Sequence, residues 1–352
     1  MAAPATHIPT RPSSVASMAA PHQSVVLLSC FGDPDQFAMV EQPMPVAGPG
    51  EVRVRVLAAS VQFTDVIIRK GDYPRLGAKP PLVLGYDVVG EIDEVGPGVV
   101  GFVVGDRVAD LTVTGSYARY RTLHAERIVR VPREVDPAEA AALVLSWTTA
   151  YQLLHRVAKV VAGNRILVHG AAGSVGQALL TLGRIAGLRM WGTAHAEHGD
   201  LVRSLGATPI DYETQDPHRL VPEGFDAVFD GIGSHGFASS WACVRDGGIL
   251  AAFGFSAAVE SGAATWKLGL WLLRLRAWDW LPNRKRARFY SIVPMRTQHP
   301  AWYRADLETL LRLLASDTIH PRIAERISME GVAAAHRQLE VGGLTGKLIL
   351  CP

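Results

Sequence analysis

Seven residues, Gly170-Ala171-Ala172-Gly173-Ser174-Val175-Gly176, lie between an apolar run and an amphipathic stretch. Glycines in such a turn let backbone N–H groups approach a pyrophosphate at a helix N-terminus, where partial positive charge gathers. The turn follows ILVHG (166–170) and opens a helical pattern, and this context points to a dinucleotide site; the bland alternative is an ordinary strand–helix turn. A site for NAD normally places an acid at the end of the second strand, where it accepts hydrogen bonds from the ribose 2′-hydroxyl. Here that segment is Gly192-Thr193-Ala194-His195-Ala196, with no carboxylate before Glu197. With His195, His198 and Arg203 nearby, the pattern favours a 2′-phosphate and hence NADPH, although neither Lys nor Arg sits in the turn itself. His195 and His198 make no zinc site without a third ligand. Gly231 and Gly233, and then Gly254, Phe255 and Ser256, fall at the carboxyl ends of expected strands, where an open α/β sheet binds ligands.

The elements that must position these residues change character along the chain. From about residue 24 to 145 short strands alternate with glycine turns. Val52, Val54 and Val56 alternate with Glu51, Arg53 and Arg55, a half-exposed strand of period two. Further short runs at 82–84, 88–92, 99–104, 107–111 and 128–131 imply a partly open β-barrel. DPAEAAALVLSWTTAYQLLH (136–155) carries a capping acid and an Ala/Leu pattern, so it reads as helix. Strands at 166–170, 190–194, 226–230 and 249–254 then alternate with helices at 175–185 and 200–205, which predicts a parallel sheet wound on both faces. The last sixty residues return to a mixed pattern and end in a strand at Lys347–Leu350.

Composition bounds the rest. The 352 residues suit about two domains. Apolar residues make up 48% and charged residues 19%, enough for a packed core over most of the length. Lys and Arg total 35 against 33 Asp and Glu, so no global basic excess argues for nucleic acid. Cys30, Cys243 and Cys351 are too scattered for a disulfide framework or a metal knuckle, which favours a reducing, cytoplasmic setting. No apolar run suits a membrane span, because residues 166–183 are broken by His169, Ser174, Gln177 and several glycines. Residues 1–22 are rich in Ala, Pro, Ser and Thr without an apolar h-region, so they read as a disordered tail rather than a secretory signal.

Taken together, five segments resemble the medium-chain dehydrogenase/reductase superfamily, in its zinc-independent quinone oxidoreductase branch with vesicle amine transport protein-like members. They are Ala58-Ala59-Ser60-Val61-Gln62-Phe63-Thr64-Asp65 with Arg69-Lys70-Gly71-Asp72-Tyr73-Pro74; Gly85-Tyr86-Asp87-Val88-Val89-Gly90; Gly105-Asp106-Arg107-Val108; the turn from Ala171 to Gly176; and Thr345-Gly346-Lys347-Leu348. The resemblance spans residues 24 to 352. It implies a Rossmann doubly wound sheet plus a GroES-like barrel: a tail at 1–23, barrel at 24–145, NADP-binding domain at 146–292 and returning barrel at 293–352. Zinc members carry a Cys where this chain has Gln62, and a GHE motif where it has Tyr86 and Asp87. The catalytic zinc is therefore expected to be missing by ligand count.

The same resemblance assigns roles. Gly173, Ser174, Val175 and Gly176 would carry the pyrophosphate, Thr149 would lie beside the nicotinamide, and Tyr212 near the adenosine phosphate. Thr193 and Lys347 complete the expected cofactor contacts. Gln62 stands where relatives carry an Asn facing the nicotinamide ribose. Tyr73 matches the tyrosine that enoyl-thioester reductases use as proton donor, its bland alternative being a packed surface phenol. Trp266 to Trp280 holds four of the eight tryptophans and precedes Arg284, Lys285, Arg286 and Arg288. It is expected to be a buried helix walling an apolar pocket or a dimer contact, rather than one lying on an anionic membrane. The expectation is a homodimeric, NADPH-dependent reductase of a quinone or an α,β-unsaturated carbonyl. Its rivals are an enoyl-thioester reductase and a membrane-associated nucleotide-binding protein with little turnover.

Overall fold

The computed structural model describes residues 21–73, 77–233, 237–253 and 264–352, with side chains in the last stretch from residue 269 onward. Gly254, Phe255, Ser256, and the side chains of Trp266 and Lys267 lie outside the described residues. The first strands are β1 (His22–Leu28), β2 (Phe37–Pro43), β3 (Glu51–Val61), β4 (Leu82–Val83), β5 (Asp87–Val95), β6 (Arg107–Leu111), β7 (Tyr120–His124) and β8 (Val129–Arg130). Period two is realised in β3. Val52, Val54 and Val56 are buried, while Arg53 and Arg55 turn outward to Asp93, Glu94 and Glu91 on β5. Burying each of these valines stabilises the fold by roughly 1.5–3 kcal/mol.

The expected strand at 99–104 does not form. Gly98, Gly101 and Gly105 all take left-handed backbone (φ of 78°, 86° and 89°), which breaks any extended run. Val100, Val103 and Val104 are exposed as a result.

Helix formation after residue 136 follows its capping chemistry. Asp136 Oδ1 accepts from the amides of Ala138 and Glu139, and Pro137 occupies the first helical position, where no donor is lost. The helix continues from Pro137–Ala142 through Leu143–Trp147, Thr148–Gln152 and Leu153–Ala158. Its second and fourth segments have widened turns, a feature often found at functional sites.

The parallel sheet comprises β9 (Arg165–His169), β10 (Arg189–Ala194), β11 (Thr208–Asp211), β12 (Phe225–Asp230), β13 (Val244–Ala252) and β14 (Arg286–Phe289), in the order β11-β10-β9-β12-β13-β14. Strand order reverses at β9 and β12, and the crevice beyond their carboxyl ends is where such sheets receive ligands. Finally β15 (Ile323–Ile327) pairs with β16 (Lys347–Leu350), and β16 runs antiparallel to β3, with Leu348 opposite Val61. This long-range pairing brings Lys347 next to Gln62.

The helix Ala264–Asp279 is present, with one face buried within this chain. Leu275 is inside and Trp271 and Trp278 pack on the second core, yet Leu270, Leu273, Trp280 and Leu281 face solvent. One face packs beside β14, and the other is exposed among the described residues. No described helix is long and apolar enough to cross a membrane.

Candidate active site

A groove of about 800 Å³ opens at the carboxyl ends of β9, β10 and β12. Gly173, Thr193, His195, His198 and Tyr212, each singled out in the sequence, line it together. His169 forms part of its wall, and its Nδ1 lies 3.0 Å from Thr193 Oγ1. Burial holds this imidazole below its usual range, hence neutral. Asp230 is fixed across from it: one carboxylate oxygen accepts from the amides of Ile232 and Gly233, the other from Ser240 Oγ at 2.6 Å. Gly231 follows directly, so close to the Phe253 ring that a Cβ there would stand 2.7 Å from it.

The turn is built for close approach. A Cβ at Gly176 would fall 2.3 Å from the Gly170 carbonyl oxygen and 2.7 Å from Ala171 Cα. Gly173 caps the helix Ser174–Ile185, and Val175 packs on the main core. Ser174 does not line the main groove. With Lys347 it faces a separate cavity of about 350 Å³.

On the barrel side, Gln62 is pinned at both ends. Its Nε2 donates to Asp87 Oδ2 at 2.5 Å, and its Oε1 accepts from Lys347 Nζ at 2.8 Å. Asp87 also accepts from the Ser60 amide at 2.7 Å. Tyr73 reaches the site by a phenol–phenol hydrogen bond of 2.7 Å with Tyr86. Burial raises both phenols above the ordinary range, so both stay protonated at neutral pH and can donate. Thr149 is buried beside Tyr290, whose phenol donates to Gln152 Oε1 at 2.7 Å; Gln152 in turn donates to Asp306.

Sequence inspection did not reveal three of these relations: the Gln62–Lys347 link, the Tyr73–Tyr86 pair and the support of Thr149 by Tyr290. Only Gly85-Tyr86-Asp87, noted as a departure from a zinc motif, carried a trace of them.

Asp65 is wholly buried beneath this cluster and accepts from the Gln62 amide at 3.0 Å. Burial and then the Asp87 charge push it up to about 7. Burial lifts Asp87 to about 6, against the opposing pull of Lys347. Because both folded values lie above those of the unfolded chain, the folded state retains protons that unfolding would release. Their stabilising contribution is full below about pH 4 and fades as pH rises through about 6 to 7. Asp65→Asn keeps an acceptor for the Gln62 amide but removes the ionisation. The melting temperature of the wild type should therefore fall more steeply than that of the variant between about pH 5 and about pH 8; parallel curves would contradict this assignment.

Residues 48–133 match the alcohol dehydrogenase GroES-like domain family, and residues 205–350 match the zinc-binding dehydrogenase family. A 2-haloacrylate reductase of Burkholderia sp is 32% identical over 337 residues, covering 91% of this chain and 96% of that protein. The quinone oxidoreductase of Pseudomonas aeruginosa is 30% identical, with 93% and 99% covered. The solved structure of a mycobacterial protein complexed with NADPH superposes with a TM-score of 0.80 at 29% identity, over 94% of this chain and all of that one. The chain belongs to the medium-chain dehydrogenase/reductase superfamily. It is an oxidoreductase-family member whose Rossmann-type half is a nicotinamide-cofactor fold.

The zinc implied by one family name does not suit the donors present. Gln62 and Tyr86, at two of the expected ligand positions, are committed to hydrogen bonds within the protein, and Asp87 is engaged by Gln62 and Ser60. Among the described residues, no group of three or more His, Cys, Asp or Glu could hold a metal ion.

Proposed function

We propose that this protein is an NADPH-dependent reductase that needs no metal and reduces a quinone or the β-carbon of an α,β-unsaturated carbonyl. The observation that carries the reading is the cluster at the former metal-ligand positions: Gln62 locked between Asp87 and Lys347, beside the protonated Tyr73–Tyr86 pair. Such a site offers oriented donors to an acceptor that is already polarised and supplies its own electron sink. Bound NADPH would supply the hydride.

Gly173, Ser174, Val175 and Gly176 present helix N-terminal amides to the pyrophosphate, and Gln62, Thr149 and Lys347 border the nicotinamide end. Gly231 completes the proposed cofactor contacts at the strand ends. With an enone, hydride adds to the β-carbon, the enolate takes its α-proton from Tyr73, and solvent returns a proton to the half-buried Tyr73 phenolate, which the Tyr86 hydroxyl steadies by donating a hydrogen bond. The proposal includes a barrel from about residue 24 to 145 and again from 293, a cofactor domain at 146–292, a cytoplasmic setting, and a homodimer. The exposed face of the helix Ala264–Asp279 is available for that second copy.

The test follows NADPH absorbance with an ortho-quinone and a size-matched enone side by side, for wild type and Tyr73→Phe. Wild type should consume NADPH with at least one acceptor. Tyr73→Phe should slow enone reduction by about 10²-fold, the usual worth of a positioned acid, and leave quinone reduction nearly unchanged because water can protonate that product. An unchanged enone rate would remove Tyr73 from the chemistry.

A further inference from the structure

Thr149 stands at one end of a buried chain of hydrogen bonds. At the other end is Asp306, which projects from the helix Pro300–Ala315 and is 1% exposed. Its Oδ1 accepts from Arg156 at 2.7 Å, and its Oδ2 accepts from Gln152 Nε2 at 2.9 Å. Gln152 Oε1 accepts from the Tyr290 hydroxyl at 2.7 Å, and the Thr149 hydroxyl donates to the Tyr290 oxygen. Gln152, Tyr290 and Thr149 are all buried. The direction of each bond is fixed from the Asp306 end. A guanidinium only donates and a carboxylate only accepts, so Gln152 must turn its NH2 group to Asp306 and its carbonyl to Tyr290. Tyr290 spends its one proton there, and its oxygen is left to accept. Thr149 spends its own proton on Tyr290, so toward any further partner it has lone pairs and no donor.

The geometry points to Asp306, Gln152 and Tyr290 as positioning residues: they hold Thr149 as an acceptor, and its oxygen takes a hydrogen bond from the N–H of the nicotinamide carboxamide. This rests on the nicotinamide-reductase reading above, in which Thr149 borders that ring. The carboxamide carries a donor on one side, its NH2, and an acceptor on the other, its carbonyl. A Thr149 that can only accept favours the first and rejects the second, so the amide keeps one orientation. Asp306 touches no part of the cofactor. It acts through bond direction, which a buried network transmits because an opposed pair of donors inside it is costly. In Asp306→Asn the new Oδ1 stays on Arg156 and the new NH2 group faces Gln152. Gln152 must then turn over and donate to Tyr290, and Tyr290 donates to Thr149. The Thr149 proton is left pointing at the carboxamide NH2, donor against donor.

The probe is the reduced 3-acetylpyridine analogue of NADPH, which keeps the carbonyl but carries a methyl group in place of the NH2. Dissociation constants for both cofactors are read by quenching of tryptophan fluorescence without substrate. Wild type should bind NADPH about tenfold more tightly than the analogue, the worth of one buried hydrogen bond. Thr149→Val should bring the ratio near one, and so should Tyr290→Phe, which frees the Thr149 proton. Asp306→Asn should remove or reverse the preference although it lies two residues away along the chain of bonds. Asp306→Asn combined with Gln152→Glu exchanges carboxylate and amide, restores the original bond directions and should bring the preference back. A merely structural Asp306 would weaken both cofactors alike and leave the ratio unmoved. A ratio near one in the wild type, or an unchanged ratio in Asp306→Asn, overturns the inference while the reductase reading stands; if Asp306→Asn does not fold, an unchanged ratio in Tyr290→Phe does the same. If neither cofactor binds the wild type, both fall.

Discussion

A valine at Gly176 is expected to abolish binding of the nicotinamide cofactor while the chain still folds. The added Cβ would stand 2.3 Å from the Gly170 carbonyl oxygen, and 2.7 and 2.8 Å from Ala171 Cα and oxygen. These are backbone atoms of the same turn, so they cannot swing aside as a flexible side chain would. The first turn of the helix Ser174–Ile185 must move outward, carrying with it the amides proposed to face the pyrophosphate. Binding at such a site depends on placement to within a few tenths of an ångström, so a loss of about 100-fold in NADPH affinity, near 2.7 kcal/mol, is the expected minimum. Gly269→Ala is the control, since its new methyl group meets open space. Calorimetric titration reads the affinities and circular dichroism checks the fold. Wild-type affinity in Gly176→Val would show that the turn does not carry the cofactor.

The second large effect concerns stability. Lys347→Met removes the cation that faces Asp87 through Gln62. Asp87 is fully buried and its remaining partners are the Ser60 amide and Gln62. Breaking a buried charge pair on one side typically costs about 3–5 kcal/mol, because the remaining ion lacks compensation. The cost depends on pH. Burial holds Lys347 down at about 8 and lifts Asp87 to about 6, so both are charged in the folded protein between those values. Near pH 7 to 8 the variant should therefore lose most. Near pH 5 Asp87 is protonated in the folded state, and the loss should shrink. Adding Asp87→Asn to Lys347→Met should recover part of the lost stability at neutral pH. Urea unfolding at the two pH values decides it: equal losses at both would mean that Lys347 contributes through packing alone.

Local signals made most of the architecture readable from the sequence. The capping acid Asp136 followed by Pro137, the valine alternation of β3 and the glycine turn after β9 each specify their element through near neighbours. The run at 99–104 misled because apolar character was read without weighing three surrounding glycines, whose left-handed conformation decides the outcome. The helix Ala264–Asp279 left its choice between pocket wall and dimer contact open in the sequence. Its apolar residues surround the whole axis, and periodicity cannot say which side a partner will cover.

At the site, the five residues around the groove were legible because a parallel sheet places its strand ends together. The pinning of Gln62 was not. It arises from β16 pairing with β3, which joins residues 285 positions apart in the chain, and no local pattern encodes that contact. The same holds for Glu213 beside His195, brought in by the neighbouring strand rather than by its own loop.

The most direct test of metal-free hydride delivery uses protein treated exhaustively with a chelator, NADPH deuterated at the transferable position, and an enone, with mass spectrometry of the product. The account predicts undiminished turnover, one deuterium at the β-carbon, and an α-hydrogen drawn from solvent-exchangeable groups. Loss of turnover that returns with added zinc, or a product without deuterium at the β-carbon, would contradict it.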